Sequence, residues 1–224
     1  MRGLDTAYMG DLVPVILGYV PLTLGMALVA MAAALVLAAV LAIVRVLRVP
    51  GLDQGVAVFI SFFRGTPLLV QLFLFYYGLP QLFPALTSID GITAAVIGLT
   101  LHFSAYMAES IRGAILGVDR SQWEAAQSIG MTQGQLLRRI VLPQASRVAA
   151  PTLMNYFIDL IKSTSLAFTL GVTEMMGAAQ KEAAGSFLYL EAFLVVAVIY
   201  WILVEILSVG QRWMERHLGR AVAR

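Results

Sequence analysis

An all-α integral membrane protein with about five transmembrane helices is what this sequence predicts, and three observations predict it. Of its 224 residues, 60% are hydrophobic and only 12% are charged, a balance foreign to soluble globular domains of ordinary composition. Several apolar stretches reach about 20 residues, the length a helix needs to cross a hydrocarbon core of about 30 Å. The period-two alternation of a membrane barrel strand is absent, and long continuous runs favour helices, which satisfy their backbone groups internally. Residues 12–44 carry no charge. That run exceeds the roughly 7–15-residue apolar core of a secretory signal, so it is expected to stay as a span.

Taken in order, the first crossing is expected to begin at Pro21, suited to a first helical turn, and to end at residue 44 before Arg45 and Arg48. Pro14 and Gly18 indicate a shallow interfacial lead-in before it. The second covers 54–79, is interrupted at Arg64-Gly65-Thr66-Pro67 and is ended by Pro80. The third covers 91–116, with His102, Ser104, Glu109 and Arg112 in its later half. The fourth and fifth cover 148–170 and 188–210, and a short basic tail follows. With the amino terminus outside and the carboxyl terminus in the cytoplasm, nearly all arginines fall on the inner side and only Arg2 and Lys181 on the outer, as the positive-inside rule requires. No repeat or Pro/Gly/Ser-rich linker divides the chain, so residues 12–212 are read as one membrane domain.

The polar island 119–145 interrupts this apolar pattern. Residues 121–129 read as a short amphipathic helix with Ser121 as N-cap, Glu124 at the third position and Ala125 and Ala126 as strong helix formers. Gly130 ends it, because glycine tolerates the left-handed conformation of a helix stop. A second short helix, 133–141, carries Arg138 and Arg139 and is expected to stop at Pro143. Two helices meeting at a glycine make either a compact docking knob or a plain solvated linker.

The sequence excludes several chemistries. It has no cysteine, hence no disulfide and no thiolate ligand or nucleophile, and its two histidines lie far apart, so no metal site is expected. No GxxxxGK[ST] motif occurs, so this chain is not expected to bind ATP, and no nucleophile and base pair supports an enzyme. His102 reads as a structural residue. Two polar features remain. Asn155, Asp159 and Lys162 share one helical stripe, with Ser163, Thr164 and Ser165 beside it. Charges within a span face a protein interior or a watery cavity, so the stripe is either part of a substrate path or an ion pair tying helices together. Arg64, at the break made by Thr66 and Pro67, either holds a carboxylate through its forked donors or reaches to the headgroups.

Five stretches carry a family resemblance. EAA, three residues, Gly, nine residues, Ile, any residue and Leu-Pro over 124–143 resembles the cytoplasmic loop of permease subunits of bacterial ATP-binding-cassette (ABC) importers. FFRGTPLLVQLFLFYYGLP, AYMAESIRGAI, QWEAAQSIGMT and LPQASRVAAPTLMNYFIDLIKSTSL resemble the polar amino acid permeases, and Tyr76-Tyr77-Gly78-Leu79-Pro80-Gln81 with Gln122-Trp123 is similar to the cystine-type members. The resemblance implies a type I importer (MetI-like) fold in the bacterial cytoplasmic membrane. It also implies two ATPase subunits that bind ATP and magnesium, an extracytoplasmic solute-binding protein, a second permease subunit as homodimer or related chain, and no nucleic acid. By position, Glu124, Ala125, Ala126 and Gly130 would form the coupling helix, and Arg64, Thr66, Asn155, Lys162, Thr164 and Ser165 would line the path of a polar L-amino acid, with cystine first. Where the family reads Lys-Asp-Thr-Ser-Leu this chain has Ser163, and Asp159, one turn earlier, is the expected replacement for the missing carboxylate. An ion-coupled transporter using Asp159 and Lys162, or a membrane scaffold, are the competing classes.

Overall fold

A computed structural model describes residues 3–222. Among the described residues, eleven α-helices follow one another and no strand occurs. They are α1 (Thr6–Leu17), α2 (Val20–Leu47), α3 (Asp53–Gly65), α4 (Leu68–Phe73), α5 (Leu79–Leu82), α6 (Gly91–Leu116), α7 (Arg120–Ser128), α8 (Gln133–Leu136), α9 (Leu142–Ser163), α10 (Met175–Ser186) and α11 (Tyr189–Val222). Among the described residues, three stretches are long and apolar enough to cross a membrane, namely Val20–Leu47, Gly91–Leu116 and Tyr189–Arg216. The broken pair Asp53–Gly65 and Leu68–Leu82 makes a fourth if it is one span. The 22-residue α9 holds the place of the remaining expected crossing, but Arg147, Asn155, Asp159 and Lys162 leave it less apolar than these. The residues of the expected lead-in form α1, a short apolar helix with Pro14 inside it. The basic tail is no separate segment, because α11 continues through Arg212 and Arg216.

Two prolines do not stop their helices. Between α4 and α5 the chain makes a π turn, Leu74–Gly78, and between α8 and α9 another, Leu137–Val141; each is followed by Leu-Pro. In both, the leucine N–H reaches five residues back, Leu79 to the Leu74 carbonyl and Leu142 to that of Leu137. A proline inside an α-helix clashes with the carbonyl four residues earlier and lacks the N–H to bond it. The wider turn accommodates that, so Pro80 and Pro143 sit inside continuing helical segments, contrary to the expected stops.

The chain forms two compact units. The first comprises residues up to Ala32, Thr66–Thr100 and Phe157–Val209. In it Leu12 and Ile16 of α1 pack with Met175, Ala179 and Ala183 of α10 and with Ala192, Val195 and Val196 of α11. A neighbouring cluster joins Met26, Leu72, Ala94, Ala95, Ala167 and Leu170. The fully buried Glu174 caps α10: its carboxylate accepts from the Gly177 N–H at 2.8 Å and the Tyr200 hydroxyl at 2.9 Å. Gly177 permits this turn, since a Cβ there would lie 2.4 Å from the Val172 carbonyl oxygen.

The second unit comprises Ala33–Gly65, Leu101–Tyr156 and the residues from Gly210. Its core joins Ala114, Ile115 and Val118 with Ala126, Leu136, Leu137, Val141, Ala145 and Ala149. Arg45 and Asp53 clasp the α2–α3 turn with a 2.6 Å ion pair.

Candidate functional site

The knob is built on the second unit's core. Asp119, not Ser121, is the N-cap of α7: its carboxylate accepts from the Ser121 N–H at 2.8 Å, and that backbone hydrogen bond holds the Asp119 carboxyl below its ordinary value. Both residues are able caps, and the extended backbone of Asp119 (ψ 131°) decides between them. Ala126 is buried among Ile115, Leu136 and Val141, with Trp123 packed beside it. Glu124 and Ala125 face outward, and Glu124 accepts from Arg120 at 3.1 Å with both side chains largely in solvent. Gly130 adopts φ 78°, the left-handed conformation expected of it. Thr132 and Gln135 then start α8 with reciprocal bonds, the Thr132 hydroxyl accepting from the Gln135 N–H and the Gln135 side chain from the Thr132 N–H. At the tip, Ile129 is 77% exposed. Its signal was present in the sequence, an isoleucine inside a polar island just before the helix-stopping glycine.

The second feature of this unit is a polar cluster. Glu109 on α6 receives two bonds from Arg112, at 3.1 and 2.7 Å, and Arg64 at the end of α3 approaches the same carboxylate at 4.0 Å. The Arg64 guanidinium lies over the Tyr106 ring, 5.5 Å from its centre, while the Tyr106 hydroxyl donates to the Arg64 carbonyl at 3.3 Å. Arg64 therefore faces a carboxylate of the protein itself. Sequence reading named Glu109 and Arg112 only as polar residues of the span, and their spacing of three was the available sign of a pair. His102 sets its ring edge-on to Phe103 and tilted against Tyr106, in keeping with a structural role.

At the helix break, Thr66 precedes Pro67, and its hydroxyl and carbonyl both accept from the buried Gln71 side chain, at 2.8 and 3.1 Å. This bond satisfies a backbone group that the break would otherwise leave open.

The stripe on α9 resolves into separate interactions. Lys162 and Asp159 form a 2.7 Å ion pair, with side chains 54% and 52% exposed. The pair is thus intrahelical and half exposed, not a buried tie between helices. Asn155 accepts from the Gln211 side chain at 2.9 Å. The hydroxyls of Ser163, Thr164 and Ser165 donate to the carbonyls of Asp159, Ile161 and Lys162. Ser163 ends α9, and Thr164 and Ser165 open a 3₁₀ stretch, Thr164–Leu170, so the three do not continue the stripe. No group of three or more His, Cys, Asp or Glu residues able to hold a metal ion occurs among the described residues.

Comparison with known proteins decides the family. Residues 34–220 match the family described as "Binding-protein-dependent transport system inner membrane component". The chain belongs to that family. Among curated relatives, this permease is 60% identical to the probable amino-acid ABC transporter permease protein PatM of Vibrio harveyi, over 99% of this chain and 100% of the relative. It is 41% identical to the L-cystine transport system permease protein TcyB of Bacillus subtilis, over 99% of this chain and 96% of the relative. A solved chain described as "Crystal structure of an amino acid ABC transporter with histidines" superposes with a TM-score of 0.89 at 30% identity, covering 96% of this permease and all of that chain. The inward-facing MetNI methionine transporter, at 19% identity and a TM-score of 0.79 over 93% of this chain and 98% of its own, shares the fold. The expected MetI-like permease fold is thereby met, and the chain is a transport component, not an enzyme.

Proposed function

We propose that this permease is the transmembrane subunit of an ATP-driven importer that moves a polar L-amino acid, cystine first, across the bacterial cytoplasmic membrane by alternating access. The amino-acid class rests on the full-length likeness to the PatM protein. Cystine rests on the two cystine permeases of Bacillus subtilis, TcyB and TcyL, at 41% and 39% identity. Residues 12–212 act as one permease domain, with the amino terminus outside and the carboxyl terminus in the cytoplasm. Two ATPase subunits bind ATP and magnesium and seat on the knob, a solute-binding protein delivers the amino acid, and a second permease subunit completes the path. Glu124, Ala125, Ala126 and Gly130 carry the coupling, and Arg64, Thr66, Asn155, Asp159, Lys162, Ser163, Thr164 and Ser165 belong to the path.

One observation carries the coupling role: the knob presents Glu124, Ala125 and Ile129 outward while Ala126 roots it in the core of α6 and α9. A force on its outer face therefore reaches two long helices directly. The test is reconstitution of the permease with its ATPase and solute-binding protein in liposomes, measuring ATP-dependent uptake over a panel of amino acids. Uptake of cystine ahead of arginine, glutamine and histidine is expected. Uptake by the permease alone, without ATP, contradicts the reading.

A further inference from the structure

The Arg64 cluster holds two cations and one carboxylate; Arg45, the third cation acting on Glu109, is itself neutralised by Asp53 at 2.6 Å. Arg112 engages Glu109 through both carboxylate oxygens, whereas Arg64 stands at 4.0 Å from it. Glu109 lies seven residues before the end of α6, about 10 Å along the helix from the knob end. The one carboxylate near Arg64 is already engaged by Arg112, so the Arg64 guanidinium can take an anion of suitable shape. Tyr106 touches Arg64 at two points, with its ring 5.5 Å from the guanidinium carbon and its hydroxyl on the Arg64 carbonyl. A planar fork suits two parallel bonds to a carboxylate.

We propose that Glu109 and Arg112 are positioning residues that set the charge of a receiving site at Arg64 for the substrate's α-carboxylate, a reading that rests on the function proposed above. Arg112 then has a definite role, which is to occupy Glu109 so that Glu109 does not neutralise Arg64. The net charge of the cluster is +1 without substrate and zero with the carboxylate seated. Half-exposed Arg64, at 46%, leaves room for that partner.

The charge count makes opposite predictions for neighbouring residues. Direct binding of L-cystine is measured on the purified permease–ATPase complex without the delivering protein; if uptake selects another amino acid, that one is the probe. Arg112→Gln frees Glu109 to pair with Arg64, and affinity falls about tenfold. Glu109→Gln raises the cluster charge, and affinity rises several-fold; in liposomes with the delivering protein and ATP, its maximal uptake rate falls through slower release. The double variant Glu109→Gln/Arg112→Gln restores the original charge and near-original affinity. A purely structural ion pair would lose affinity in both single variants alike, and such a result, or no change in either, overturns the proposal. If Arg112→Gln does not assemble, the unaltered complex decides: cystamine, which lacks both carboxylates, is expected to bind at least tenfold more weakly than cystine, and equal binding overturns the proposal. An unaltered assembly that takes up no amino acid with ATP would defeat the importer reading itself, a result distinct from any of these.

Discussion

The knob and the Arg64 cluster belong to the same compact unit, yet they are built in opposite ways. The knob is local: cap, helix, glycine turn and second cap follow one another within residues 119–136, and only its base is tertiary. The cluster is assembled across the chain, Arg64 from α3 meeting Tyr106 and Glu109 from α6. A local element can move as a body without losing its own bonds, because each is closed within a few residues. A cluster drawn from distant segments changes its contacts whenever those segments shift. Under the function proposed above, that difference suits the knob to transmit force and the cluster to respond to it.

The largest effect that would break this comparison is expected from Ala126→Asp. It buries a carboxylate in the apolar base of the knob, a cost on the order of several kcal/mol. Loss of ATPase co-purification together with a lower melting temperature is the expected outcome. Gly130→Ala comes next: no atom would meet the new Cβ within 4 Å, so only the left-handed backbone opposes it, at about 1–2 kcal/mol. Thermal unfolding of the purified permease measures that cost, and no change would mean the turn relaxes freely. Asp159→Asn removes a half-exposed intrahelical pair and is expected to alter stability by about 0–1 kcal/mol. If Asp159 also meets the substrate ammonium, uptake affinity drops with stability unmoved; unchanged affinity removes it from the path.

The smallest effect concerns acid. Asp119 titrates below its ordinary 3.8 because of the Ser121 N–H, so its capping contribution is complete above that value and is lost as pH falls through the lower folded value. Hydrogen exchange at the first turn of α7 should be steady from pH 7 to about 5, after correction for intrinsic rates, and Asp119→Asn should remove the acid-linked weakening.

What the sequence disclosed divides along the same line as the two regions. The knob's pattern, its glycine and its alanines were legible because their reasons are local: propensity, cap geometry and a left-handed turn. The substitution of Asp119 for Ser121 as cap was beyond reach, since either oxygen serves and backbone geometry chooses. Pro80 and Pro143 were misread as stops because the π turns before them open a wider spacing that composition does not announce. The Glu109 cluster and the buried Glu174 cap were missed for another reason: Arg64 meeting Glu109 and Tyr200 meeting Glu174 are pairings fixed only when helices pack.

Because the chain contains no cysteine, the proposed seating of the ATPase on the knob can be read by one cross-link. A single cysteine at the exposed tip, Ile129→Cys, is coupled to a short thiol-to-amine cross-linker in the assembled transporter, with Phe187→Cys, 80% exposed and far along the chain, as the control. A covalent product between the permease and the ATPase is expected from Ile129→Cys and none from Phe187→Cys. A product from Phe187→Cys alone, in an assembly that still transports, would contradict that seating.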